Sequence, residues 1–118
     1  MDTKQANLCF HHSERLKSNL FLVSSALDRL TALKAERWEG GKEVTSGVFD
    51  ALGNELKMAR QYFSLEEIHS IEEGLSEVRS RIELHDYAKA MEHLGRTISH
   101  VTTLSDRCIR VLIDKDLV

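Results

Sequence analysis

The sequence predicts an all-α fold, an antiparallel up-down-up-down four-helix bundle, and three observations predict it. Four stretches place apolar residues three and four positions apart, the period of one helix face. No proline interrupts any of them in a chain of 118 residues. One Trp, two Tyr and four Phe, with no proline, argue against sandwiches and barrels, which need turn residues at regular intervals. A chain of this length buries one continuous core without metals or disulfides, so residues 1–118 are expected to form a single domain.

The first stripe is Leu16, Leu20, Val23, Leu27 and Leu30, within a run of good helix formers. It predicts a helix over 4–38, ended by Gly40 and Gly41, and at 1.5 Å per residue a rod of about 50 Å. Such a rod is longer than a compact domain of this size needs. The second stripe, Val44, Val48, Leu52, Leu56 and Ala59, predicts a helix over 44–63. Gly47 and Gly53 weaken it by up to ~1 kcal/mol each relative to alanine.

Ser64-Leu65-Glu66-Glu67 is a capping box, in which the serine hydroxyl takes the amide proton of Glu67 while the Glu67 side chain reaches back. It opens a third helix, 65–84, carrying Ile68, Ile71, Leu75, Val78 and Ile82. The five-residue step from Ile82 to Tyr87 cannot continue a 3-4 alternation. A turn is therefore expected at His85-Asp86, with Asp86 as N-cap of a fourth helix, 87–115, carrying Tyr87, Met91, Leu94, Ile98, Val101, Ser105 and Cys108. The competing arrangement is one helix over 65–115, leaving three helices that need a second copy to cover their core.

A hydrophobic fraction of 42% and a charged fraction of 30% fit a soluble globular protein. The 16 Lys and Arg against 19 Asp and Glu are interspersed, net −3, which argues against nucleic acid as a partner because phosphate recognition needs a basic stripe. Arg96, Arg107, Arg110 and Lys115 gather on the last helix, where solvation and the helix dipole account for them. The N-terminal segment lacks a signal-peptide layout, and no apolar run approaches the ~18 residues that span a bilayer, so no membrane association and a cytoplasmic location are expected.

Three sets of residues invite a chemical reading. On the fourth helix His93 and His100 are seven apart, off the core stripe, and His93-x-x-Arg96 is the minimum a phosphotransfer histidine needs: an accessible ring nitrogen and a base to steady the phosphoryl charge. Cys9, His12 and Cys108 come to the same end of an up-down-up-down bundle, on neighbouring helices, where a thiolate-imidazole metal site or a terminal disulfide could form. No fourth ligand is evident, and a reduced, buried cysteine pair is the expectation. Glu66-x-x-His69 has the spacing of a bundle di-metal ligand pair but falls off the stripe from which such ligands must project.

Glu14-Arg15-Leu16-Lys17-Ser18-Asn19-Leu20 and the following Val23-Ser24-Ser25-Ala26-Leu27 resemble the phosphoacceptor helix of some histidine kinases. Glu14 stands where that family's phosphorylated histidine belongs, so the resemblance is one of amphipathic spacing and does not extend to membership.

No nucleophile-base-acid arrangement and no phosphate-cradling glycine loop is visible, so no enzyme activity and no cofactor are expected. What stands out is apolar surface. Phe10 and Phe21, eleven apart, lie off the core stripe of the first helix, with Leu8, Leu22 and Leu33 on its other flank. Phe10, Phe21 and Leu22 are the candidate partner-binding residues, on a protein expected to act in protein-protein interaction or assembly, as a homodimer through its first helix. The alternative is a histidine phosphotransfer-type signalling module using His93, Arg96 and His100, and a metal-binding bundle comes third.

Overall fold

A computed structural model describes the backbone of residues 2–31 and 35–114, and side chains within those spans except at 31–39. Four helices fill it: α1 (Thr3–Thr31), α2 (Ala35–Ala59), α3 (Leu65–Glu83) and α4 (Tyr87–Asp114), with a 3-10 turn at Arg60–Tyr62 between α2 and α3. Each helix packs on its neighbour in sequence, and α1 packs on α4, which closes an antiparallel four-helix bundle of 54 × 24 × 20 Å.

Local chemistry sets most of the helix ends. Asp2 and Gln5 form a capping box at the start of α1, the Gln5 amide donating to Asp2 Oδ1 at 2.8 Å and the Asp2 amide to Gln5 Oε1 at 3.2 Å. The Ser64 box closes as its sequence predicts, with Glu67 N to Ser64 Oγ at 3.1 Å and Ser64 N to Glu67 Oε1 at 2.8 Å. Asp86 caps α4 by accepting from the Lys89 amide at 3.2 Å. Between these, α3 ends in a Schellman motif: the Asp86 amide donates to Arg81 O and the His85 amide to Ile82 O, with His85 at φ 59°. This break excludes one continuous helix over 65–115.

The first two boundaries differ from expectation. Helix α1 stops at Thr31, short of residue 38, and α2 begins at Ala35 instead of 44, so Gly40 and Gly41 lie inside a helix. Neither adopts a positive φ. A glycine pair weakens a helix by ~1 kcal/mol per residue without forbidding it. The excess length anticipated for the first helix is absent: α1 has 29 residues against 28 in α4. Leu33 and Lys115 lie outside the described side chains.

The α1 stripe is buried as expected and extends down to Ala6, Cys9 and Ser13, and all five α3 positions are buried. On α2 the core is Thr45, Phe49, Leu52, Leu56 and Ala59, whereas Val44 is exposed and Val48 only half-buried. Steps of 4-4-4 from Val44 drift around the helix, while 45, 49, 52, 56, 59 hold a 4-3-4-3 seam. On α4 the seam is Ala90, Leu94, Thr97, Val101, Leu104 and Cys108, with Tyr87, Met91 and Ile98 packed on its edge.

Close approach of α3 to α4 depends on one glycine. A Cβ on Gly74 would collide with Thr97 Oγ1. Thr97, itself buried, turns that hydroxyl onto His93 O at 3.0 Å.

Because His85 occupies the left-handed region, which costs a non-glycine residue roughly 1–2 kcal/mol, His85→Gly is expected to stabilise the fold by about 1 kcal/mol. The urea midpoint should rise with an unchanged slope.

Candidate functional site

The outward face of α1 combines three of the observations that bear on function. Core residues on one side leave Ser18, Phe21, Leu22, Ser25, Asp28 and Arg29 exposed on the other. Phe21 is 54% and Leu22 62% exposed, neighbours about 100° apart that straddle the outward direction of the helix. Beside Leu22 lies a groove of about 550 Å³ between α1 and α2, lined by Leu22, Ala26, Leu30 and Val44 with Ser25 and Arg29 at its margin. Val44, at 69% exposure, forms its opposite wall. Phe10 does not join this face, because it is half-buried and packs against the core.

Below the face, α1 is tied to its neighbours by buried polar groups. Glu55 of α2, 3% exposed, is held by His12 Nδ1 at 3.1 Å and by an Arg15 guanidinium nitrogen at 3.2 Å. The His12 ring stacks on Tyr62, with centroids 5.2 Å apart. A buried carboxylate without such partners would cost several kcal/mol. Sequence reading missed this cluster, whose signal is a lone acid beside the stripe positions Leu52, Leu56 and Ala59. Toward α4, Glu14 Oε1 accepts from Lys17 Nζ at 2.8 Å and from the buried Ser105 hydroxyl at 2.5 Å. Those two donors, Lys17 foremost, hold the Glu14 carboxyl below the usual glutamate range.

At the lower end of the bundle Cys9 and Cys108 are fully buried, with Cα atoms 6.0 Å apart, and are joined as a disulfide. The expected proximity of the chain ends holds, and the expected reduced pair is corrected. Their Cα spacing is what a disulfide needs, because α1 and α4 are antiparallel neighbours in register here. His12 is not part of this group: one residue turn further on, its ring faces α2 and Glu55. Among the described residues no set of three or more His, Cys, Asp or Glu side chains is placed to hold a metal ion. Glu66 and His69 are exposed.

The histidines of α4 line a polar groove of about 460 Å³ against α3, together with Glu73, Glu77 and Arg96. The His93 side chain is 23% exposed, with Nε2 3.7 Å from Glu77 Oε1. Arg96 is bound at 2.7 Å to Glu92, one turn earlier on its own helix. His100 is exposed. The His93 ring is thus partly open beside Glu77, and Arg96 is paired with Glu92.

These features define an antiparallel helical bundle with one apolar outward helix face and no helix, among the described residues, long and apolar enough to cross a membrane. Comparison of the chain with protein-family models, with curated proteins and with solved structures finds no match.

Two measurements follow from this geometry. Reduction, or Cys108→Ser, is expected to cost about 2–5 kcal/mol, since the bond closes a loop spanning a sequence separation of 99; urea melts with and without dithiothreitol would measure it. The depressed Glu14 pKa contributes stability that is present above its unfolded value and lost as pH falls through the folded one. Glu14→Gln should therefore lower the urea midpoint at neutral pH, with the difference from wild type shrinking as the pH is taken down through and below the usual glutamate range.

Proposed function

We propose that this protein is a non-catalytic interaction module, a small adaptor or assembly unit that binds another protein chain through the outward face of α1, with a second copy of itself as the partner. The observation that carries the reading is the adjacent exposed pair Phe21 and Leu22 beside a groove walled by Val44. Single exposed apolar residues are ordinary on a monomer, but Leu22 and Val44 meet at one groove and Phe21 stands next to Leu22 on α1, a grouping of the kind that marks interaction sites. The rigid base beneath them supports it: Glu55, His12 and Arg15 fix α1 against α2, and Glu14 with Ser105 fixes it against α4. A partner thus meets a preformed helix face and little ordering is required on binding.

A cytoplasmic location belongs to the same proposal.

Sedimentation velocity at high micromolar concentration tests the reading. Wild type is expected to run as a dimer and the double variant F21S/L22K as a monomer with unchanged helical circular dichroism, since substitutions at exposed positions typically alter stability by less than about 0.5 kcal/mol. A monomeric wild type would overturn self-association through α1.

A further inference from the structure

Resting on the α1 face proposed above, we infer that α1 pairs with α1 of a second copy in parallel and in register. Three levels on this face, one heptad or about 10 Å apart, each carry two adjacent residues. They are Glu14 with Arg15, Phe21 with Leu22, and Asp28 with Arg29. Between the levels, on the centre line of the face, sit the exposed Ser18 and Ser25.

The two flanks of the centre line differ in chemistry. Glu14, Phe21 and Asp28 form one flank, turned toward α4, as the Glu14 bond to Ser105 shows. Arg15, Leu22 and Arg29 form the other, turned toward α2, as the Arg15 contact with Glu55 and the Leu22 wall of the groove show. An acidic, aromatic edge thus runs beside a basic, aliphatic one. Arg15 and Glu14 keep part of their side chains open to solvent while holding these contacts.

A twofold axis parallel to the helices brings opposite flanks together at equal height. Arg15 then meets Glu14 of the second copy, Leu22 meets its Phe21, and Arg29 meets its Asp28, each pairing occurring twice. Phe21 of the second copy also faces the groove beside Leu22, between Ala26 and Val44. A twofold axis across the helices instead brings like flanks together: Glu14 near Asp28, Arg15 near Arg29. Like charges placed at the rim of an apolar contact disfavour that arrangement. The serines on the centre line let the helices approach to the 8–10 Å of ordinary helix packing.

Cysteines placed on the centre line read the register directly. In the parallel pair each serine meets its own equivalent, with Cα atoms inside the range of about 4.4–6.8 Å that a disulfide bridges. Ser18→Cys and Ser25→Cys, prepared separately and oxidised with copper phenanthroline, are each expected to give a covalent dimer on non-reducing gels. Wild type, whose cysteines are buried, should give none. Arg29→Asp is expected to weaken the dimer on the order of tenfold by sedimentation, and the swap D28R/R29D to restore it. Cross-links that form only when the two cysteine variants are mixed, joining 18 to 25, would overturn the parallel register and leave the α1 face standing. A sedimenting dimer in which neither variant cross-links would overturn both. Arg29→Asp dimerising as tightly as wild type would overturn the charge pairing on which the register rests.

Discussion

The packing of α1 against α4 is the constraint on which the rest of the structure depends. It is the most extensive helix pair in the bundle and joins the two ends of the chain. Three fixed points set its register: Cys9 against Cys108 at the lower end, Glu14 against Ser105 one turn above, and the apolar seam of Leu16, Leu20, Val23 and Leu27 beyond. Once the rotation of α1 about its own axis is set this way, the residues opposite the seam have no choice but to face outward. The exposure of Phe21 and Leu22 is therefore a consequence of core packing elsewhere.

Polar groups inside the bundle act as specifiers of geometry more than as sources of stability. Glu55 would be costly in a dry core and is accepted because His12 and Arg15 approach it from α1 and Tyr62 covers the imidazole. The pairing works only at one relative height of α1 and α2. Thr97 does a similar job between α3 and α4: its hydroxyl is satisfied on its own helix, and its bulk fits only because Gly74 has no side chain. Among the described residues, no buried side-chain nitrogen or oxygen lacks a hydrogen-bond partner.

Much of the architecture was legible in the residues. The capping box at Ser64, the N-cap at Asp86 and the slip between Ile82 and Tyr87 are local signals, and the helices start and stop where those signals stand. The boundary between α1 and α2 differs from the sequence expectation because a glycine pair is not by itself a helix stop. Gly40 and Gly41 carry an energetic cost without a steric prohibition, and α2 runs through them. The α2 core differs from its sequence expectation as well. Val44 and Val48 fit a helical spacing as well as Thr45 and Phe49 over a short window, and only the position of the facing helices selects one seam over the other.

The sequence by itself determined four amphipathic helices, their order and the pairing of the chain ends, because periodicity and capping act over a few neighbouring residues. Which apolar residues stay outside, that His12 turns to Glu55 and away from the cysteines, and that Phe10 packs while Phe21 does not, were decided by tertiary structure alone. Each depends on the rotation of a whole helix about its axis. That rotation is a sum over contacts from three neighbours, and no single stretch of sequence contains it.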